Sequence, residues 1–325
     1  MPKSPLISVI IPFYNGEAFV TKAIENLKKQ DFEDFEIILV NDGSTDNTAH
    51  ELSKAVAQNP ELNITVINKE NGGVSSARNQ GIACAKGEWL CFVDDDDLIS
   101  KRYLSLLYNT VSQNKTKIAL GYITKNQEEL FSGTSPEIKL FSKTRFLREF
   151  LYRGIKYSHC AAIFHKSLFE DGTQYPENSK YSEDVYLLWK LLSSCDTVPV
   201  VCHPIYYYYP NPSSAMNKKM TLDRFAAIEL MKDLEGIIQK NAPDFYPEYK
   251  SFAVARHYWS ILWQAAGCFG KYKEFMDYIG NFDMKPQLKK LYTYPSKKIT
   301  LTSKLFNLSP RLYYSLMRIY VRHFK

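Results

Sequence analysis

At 325 residues, with 45% hydrophobic and 23% charged positions, the chain has the composition of a folded globular protein, which excludes a disordered or fibrous class. That length suits one large domain with a substantial extension, or two domains. The net charge of +6 conceals an asymmetry: residues 1–210 hold 22 Lys+Arg against 26 Asp+Glu (net −4) and residues 211–325 hold 19 against 9 (net +10), so the two parts are expected to meet different partners.

In chain order, Leu6–Pro12 is a β-rich apolar run, and Glu17–Gln30 then places Ala23, Ile24 and Leu27 at helical spacing. The same strand-then-helix step recurs as Glu36–Asn41 with Asp46–Gln58, Asn63–Asn68 with Ser75–Ala85, and Trp89–Asp94 with Arg102–Gln113. Four alternations predict a mostly parallel sheet flanked by helices. Ser8–Ile11 and Ile37–Val40 are apolar continuously rather than alternately, as strands covered on both faces are. Ligands of such sheets sit beyond the carboxyl ends of the strands, where Tyr14, Asp42, Asn71-Gly72-Gly73 and Asp94 to Asp97 all fall. Further on, Ala161–Phe164 and Val198–Tyr208 read as strands, and Asp184–Ser194 and Leu222–Gln239 as helices. The Pro-, Ser- and Asn-rich stretch at 210–218 suggests a boundary, giving an α/β domain over 1–215 and a mainly helical region over 216–325.

The six cysteines lie far apart without a Cys-x-x-Cys pair, which favours a reducing, cytoplasmic compartment. The N-terminal apolar stretch is too short for a signal peptide, and no run reaches the roughly 18 apolar residues of a membrane span.

Four adjacent carboxylates, Asp94 to Asp97, follow one apolar strand and repel one another. A divalent Mg²⁺ or Mn²⁺ would relieve that repulsion and could bridge them to a diphosphate, whereas the plain alternative is a solvated acidic loop, with Asp97 capping the next helix. Asp42 could accept from the imide N–H of uracil and Tyr14 could stack on the base, although in isolation Asp42-Gly43 reads as a turn and Asp46 as a helix cap.

The strings SVIIPFYNGEAFVTKAIENLKKQDFEDFEIILVNDGSTDNT and NGGVSSARNQGIACAKGEWLCFVDDDD together closely resemble the nucleotide-binding half of family-two glycosyltransferases, which have the GT-A fold. The resemblance covers residues 6–113. Glu183-Asp184 resembles the family's acidic pair at a helix start, and Ile205–Tyr209 its closing aromatic strand. It implies that Pro12, Tyr14 and Asp42 wall a uridine pocket and that Asp94 and Asp96 flank the centre of the Asp-x-Asp motif. Asp95 would then touch the ribose, Asp96 ligate the metal and Asp184 act as catalytic base. Arg78 would approach the phosphates, and His159 the donor sugar or acceptor, with a core role for His159 equally open. Many relatives carry a basic residue after the aromatic strand; here Pro210-Asn211-Pro212 stands there, so the loop closing over the diphosphate differs.

The implied activity is metal-dependent, inverting transfer of a sugar from a UDP-sugar to a hydroxyl of a saccharide, lipid-linked or glycoprotein acceptor. A nucleotidyltransferase is the competing enzyme class, but no glycine-rich loop with lysine follows the first strand; a non-catalytic sugar-binding scaffold is the other alternative. From Met284 to Lys325 there are ten basic residues and no acidic one, interleaved with aromatics. That pattern suits an anionic membrane surface, and alternatively a helical extension packing on the catalytic domain or in a homo-oligomer; no nucleic-acid-reading motif accompanies it.

Overall fold

The computed structural model describes residues 4–133, 135–153, 157–211 and 220–324. The chain divides into two compact units, 1–212 and 213–325. The boundary expected at 215/216 lies outside the described residues.

The first unit begins with the anticipated alternation: β1 (Ile7–Phe13), α1 (Val20–Lys28), β2 (Phe35–Asp42), α2 (Thr48–Gln58), β3 (Ile64–Lys69), α3 (Val74–Cys84), β4 (Trp89–Phe92), then the two-residue β5 (Leu98–Ile99) and α4 (Tyr103–Asn114). Every residue of β1 is buried, as its unbroken apolar run demands. Helix α1 buries Val20, Ala23, Ile24 and Leu27, the i, i+3, i+4, i+7 stripe of a helix with one covered face. There follow β6 (Ile118–Thr124), β7 (Ile138–Ser142), α5 (Lys143–Arg153), β8 (Ala162–His165), α6 (Glu183–Ser193) and β9 (Thr197–Tyr207).

Among the described residues nine strands form one sheet in the order β3-β2-β1-β4-β8-β6-β9-β5, with β7 also on β9. The stretch β3-β2-β1-β4 is parallel throughout, and beyond β4 the sheet turns mixed, because β8 enters antiparallel to both β4 and β6. The eleven-residue β9 is long enough to pair with β7 along Thr197–Val201 and with β5 at Tyr206 and Tyr207. Register places the strand ends level: Phe13 lies opposite Asn41, Asp42 opposite Lys69, and Ile10 opposite Phe92. Pro12 is tolerated inside a sheet because the β4 ladder stops at Ile10, leaving only β2 beside it.

The second unit is helical: α7 (Arg224–Asn241), α8 (Tyr246–Val254), a π-helical turn (Ala255–Trp259), α9 (Ser260–Cys268), α10 (Tyr272–Ile279), α11 (Met284–Lys289), α12 (Lys297–Leu308) and α13 (Pro310–Phe324). Its core joins Ile228, Leu262, Phe275, Leu288, Phe306 and Tyr313. The C-terminal segment therefore packs within its own unit: Tyr314 Oη donates to the Phe269 carbonyl at 3.0 Å and Arg318 to that of Gly267 at 3.0 Å. The opposite side of α13 leaves Leu312, Leu316 and Ile319 exposed at i, i+4, i+7. No helix among the described residues is long and apolar enough to cross a membrane.

Candidate functional site

The loops after β1 and β2 are knotted together. Asn15, held at φ 53°, accepts from the Thr45 N–H at 2.8 Å and donates its own N–H to Ser44 Oγ at 3.0 Å. The Gly16 N–H donates to Thr48 Oγ1 at 2.9 Å, and a Cβ on Gly16 would run into the Asp95 carboxylate, so glycine lets the acid loop come this close. Tyr14 stands beside this knot with 53% of its surface exposed, a free aromatic wall at the sheet's edge.

Asp42 is buried and already engaged. Its Oδ1 accepts from Lys69 Nζ at 2.6 Å and from the Gly72 N–H at 3.0 Å, and its Oδ2 from the Gly73 N–H at 2.8 Å. Lys69 arrives because it is the register partner of Asp42. Gly73, at φ +87°, supplies the left-handed backbone that turns its N–H onto the carboxylate before α3 begins. Of the roughly four lone-pair sites on a carboxylate, three are filled, leaving one acceptor position on Oδ2.

The acids at 94 to 97 separate into distinct environments. Asp94 Oδ1 accepts from Arg78 Nη2 at 2.7 Å; burial works against its charge, yet the guanidinium holds its carboxyl below the usual range. Asp97 is not a helix cap, because β5 intervenes and Arg102 occupies the cap position of α4. Its carboxylate turns inward instead, accepting from Tyr206 Oη at 2.5 Å and from the Tyr209 N–H at 2.7 Å. The same Tyr206 hydroxyl accepts from the Asp94 N–H at 3.1 Å, so the end of β9 holds both ends of the acid loop.

Asp95 and Asp96 lie between these anchors, and among the described residues no ion pair reaches either carboxylate. Burial and the charges of Asp96 and Asp94 push the Asp95 carboxyl up to about 8, and burial raises Asp96 too. Lys22 gives its ammonium to the Asp96 carbonyl at 2.7 Å and lies 4.8 Å from the centre of the Tyr209 ring. Asn211 donates to Asp96 Oδ2 at 2.8 Å. The departure noted after the aromatic strand thus delivers an amide to this carboxylate.

Arg78 is buried rather than open to a ligand. Besides Asp94 it pairs with Glu183 Oε1 at 3.4 Å, and its guanidinium lies 5.2 Å from the centre of the Tyr175 ring. Glu183 and Asp184 open α6, preceded by Ser182 at φ 64°, a left-handed conformation uncommon for a residue with a Cβ and typical of tightly constrained functional turns. Burial and then Asp184 push the Glu183 carboxyl up to about 7, against the pull of Arg78. Asp184 is half-buried, and its charge bears on both His159 and Tyr175.

His159 is 4% exposed, edge-on to Tyr175 at 5.7 Å and against Phe92 at 6.2 Å. Burial and then Arg78 push its imidazole down to about 4, so it is neutral at neutral pH. Pro12 is likewise buried, one residue before the end of β1. The structure therefore leaves Tyr14 exposed beside the acid loop, buries Asp42 at the end of β2, and ties Asp94 through buried Arg78 to Glu183, the neighbour of Asp184, with His159 and Pro12 also buried. The sequence gave no sign of Lys22 or Lys69, whereas the aromatic run at 205–209 pointed to Tyr206 and the Pro210-Asn211-Pro212 departure to Asn211, without the role of either.

The uncompensated carboxylates of Asp95 and Asp96 fit a divalent cation held by one or two protein oxygens with the rest of its shell from substrate phosphates, as Mg²⁺ and Mn²⁺ commonly are. Among the described residues no group of three metal-ligating side chains forms a cage of its own.

Residues 8–172 match the model of "Glycosyl transferase family 2". An uncharacterized glycosyltransferase, EpsJ of Bacillus subtilis, is 30% identical over 65% of this chain and 62% of its own length. The minor teichoic acid biosynthesis protein GgaB of the same organism is 33% identical over 78% of this chain but only 29% of its own. This chain thus spans less than two thirds of either relative. Among solved structures, residues 1–349 of Staphylococcus aureus TarS in complex with UDP-GlcNAc superpose with a TM-score of 0.70 at 20% identity, covering 98% of this chain and 91% of that one. A mannosyltransferase from Pyrobaculum calidifontis, in complex with GDP-Man and Mn²⁺, gives a TM-score of 0.53 at 14% identity over 98% and 86%. The fold is therefore the expected GT-A α/β domain with a helical C-terminal region, and by its family match and its relatives the chain belongs to glycosyl transferase family 2.

Proposed function

We propose that this chain transfers a sugar from a nucleotide-diphosphate donor to an acceptor hydroxyl, with inversion at the anomeric carbon. The observation that carries the reading is Arg78, which ties Asp94 of the acid loop to Glu183 at the start of α6 and so fixes the donor-side acids relative to Asp184. On this reading Tyr14 stacks on the base, and the remaining lone pair of Asp42 accepts from the imide N–H of uracil. Asp96, with Asp94 and Asp95 beside it, would hold a Mg²⁺ or Mn²⁺ ion that neutralises charge developing on the departing diphosphate.

Asp184 takes the acceptor proton as its oxygen attacks. It stands in the first turn of α6, next to Glu183, which Arg78 holds. Arg78 draws the neighbouring Glu183 toward itself and away from that task. With one base and no second carboxylate assigned as nucleophile, a single in-line displacement follows, so a UDP-α-sugar gives a β-linked product. His159, buried against Tyr175 and Phe92, lies within electrostatic reach of Asp184.

The relatives' names support a surface polymer as acceptor: GgaB is named for teichoic acid synthesis and TarS as a poly(ribitol-phosphate) β-N-acetylglucosaminyltransferase. UDP-GlcNAc is accordingly the first donor to test. Proton NMR of the reaction should show UDP release, dependent on Mn²⁺ or Mg²⁺, and a β-anomeric signal; an α-linked product would overturn the mechanism, and absence of UDP turnover with any of a UDP-, GDP- and dTDP-sugar panel would overturn the activity. The exposed Leu312-Leu316-Ile319 stripe, within the acid-free basic segment, supports docking on an anionic membrane surface, where a lipid-anchored acceptor would be met.

A further inference from the structure

Residues 209–211 follow β9 and lie against the acid loop. The Tyr209 N–H donates to Asp97 Oδ1 at 2.7 Å, and the centre of the Tyr209 ring lies 4.8 Å from the Lys22 ammonium and 6.5 Å from the centre of the Phe19 ring, which meets it edge-on. The Asn211 N–H then donates to the Tyr209 carbonyl at 2.8 Å, an i to i+2 bond that makes a tight turn centred on Pro210. Proline suits the centre of such a turn, because its ring fixes φ near the value required and it has no N–H to leave unpaired. Pro212 comes next in the sequence, and a residue before proline is kept away from the helical region. The backbone of Asn211 is thus restricted from both sides by its neighbours.

This turn delivers the Asn211 side chain to Asp96, whose Oδ2 accepts from Nδ2 at 2.8 Å. The backbone of Asp96 is fixed as well, since its carbonyl accepts from Lys22 Nζ at 2.7 Å. Three acids of the loop have a side-chain donor, and the donors differ in kind: Asp94 has the guanidinium of Arg78, Asp97 the hydroxyl of Tyr206 and Asp96 an amide. A guanidinium largely neutralises the carboxylate that it holds. A neutral amide fixes the direction of a carboxylate and leaves its charge for a cation. Asp96 therefore differs from Asp94 in being aimed without being neutralised.

We propose that Asn211 is a positioning residue for the divalent cation, holding the Asp96 carboxylate in its binding orientation before the ion arrives. The inference rests on the transfer reaction and the cation proposed above, and adds the side chain that aims the ligand. A carboxylate that is ordered in advance loses less freedom when it binds, so the affinity for the ion rises without any contact between Asn211 and the ion. Groups that hydrogen-bond a metal-ligating carboxylate in this way contribute about 10- to 100-fold to metal affinity.

The test measures Mn²⁺ binding to the full chain in the presence of UDP, from the electron paramagnetic resonance signal of the free ion, for the wild type, Asn211→Leu and Asn211→Gln. Leucine keeps the branched shape of asparagine without a donor, whereas glutamine keeps the donor on a longer stem. The expected result is an Mn²⁺ affinity lowered by about 10- to 100-fold in Asn211→Leu and within about threefold of wild type in Asn211→Gln. UDP affinity in EDTA and the thermal midpoint in EDTA should be unchanged in both. Equal Mn²⁺ affinity in Asn211→Leu, or a loss in Asn211→Gln as large as in Asn211→Leu, overturns the positioning role and leaves the transfer reading standing. An equal loss of UDP affinity in EDTA also overturns it, because the side chain would then act on the nucleotide rather than on the ion. A wild type that binds UDP without Mn²⁺ overturns the cation at Asp96 and the role of Asn211 together, and one that binds neither overturns the transfer reading as well.

Discussion

On the proposed reading Asp184 and Asp96 have different duties, and substitution separates them. Asp184→Asn removes the proposed proton acceptor while keeping shape and size, so kcat is expected to fall by about 10²–10⁴. The calorimetric Kd for UDP-GlcNAc should stay within about twofold, because the base acts on the acceptor. A variant keeping more than half the wild-type kcat would remove Asp184 from the role. Asp96→Ala should instead abolish the Mn²⁺-dependent part of UDP binding, leaving the same weak affinity with and without EDTA. Arg78 belongs with neither. It is buried between two carboxylates, and Arg78→Met strands both; breaking a buried pair from one side costs about 3–5 kcal/mol, so urea denaturation should show a loss of that order.

At the level of elements, the acid loop is as firm as the end of β9 makes it. Tyr206→Phe deletes one hydroxyl that serves the Asp94 N–H and the Asp97 carboxylate together, at a cost of about 1–3 kcal/mol for the buried groups left unsatisfied. The expected signature is a raised KM for the donor with only a small change in kcat, read from initial rates. The first four strand–helix pairs were legible in sequence because β1, β2 and β4 are apolar runs, α1 shows a 3.6-residue stripe, and the strand-then-helix order repeats even where, as in β3 and α3, the apolar pattern is weak. Strands β6 and β7 and helix α5 were not: β6 has Gly121 and a register shift in its middle, and β7 exposes Lys139 and Leu140 on a strand too short to show a pattern. The positions of Asp42 and Asp94 to Asp97 at strand ends were legible from the alternation, whereas Asp184 and the role of each acid came only from the family resemblance. The role of Arg78 was not legible, because its partner Glu183 lies more than a hundred residues along the chain, and a phosphate contact and a buried bridge look alike in sequence.

For the whole molecule, pH and membrane surfaces are the informative variables. His257 is pushed down to about 3 in the folded protein, first by burial and then by Arg256 and Arg224, while Lys232, Lys250, Lys290, Glu235 and Tyr258 also face a cleft that it lines. An unfolded histidine titrates near about 6.5. Between those values the unfolded chain binds a proton that the folded one refuses, so this contribution is whole above about pH 6.5 and is lost as pH falls, at up to roughly 1.4 kcal/mol per unit. Urea denaturation at pH 7.0 and 5.5 should show the wild type losing at least about 1 kcal/mol more than His257→Asn; equal losses would mean that the imidazole is not held neutral. Membrane docking is best tested without truncation, since Leu288, Phe306 and Tyr313 are core residues of the helical unit. Flotation with anionic liposomes should be lost in the triple Leu312→Glu, Leu316→Glu, Ile319→Glu variant and kept by the wild type at low salt; unchanged flotation would detach the stripe from the membrane.

On the proposed reading, the filling of Asp42 by Lys69, Gly72 and Gly73 bears on which nucleotides the chain accepts. A carboxylate clamped from three directions cannot swing aside; it keeps one fixed lone pair on Oδ2. Uracil and thymine bring an N–H to that point, whereas cytosine brings a lone pair of its own, and two acceptors facing each other repel. On the proposed reading CMP- and CDP-activated sugars are thus refused by electrostatics before their size is felt. Thymidine nucleotides are refused, if at all, only by the space around their extra methyl. Competition between UDP and CDP for the Mn²⁺-loaded protein should therefore favour UDP by more than tenfold, and dTDP should fall between them.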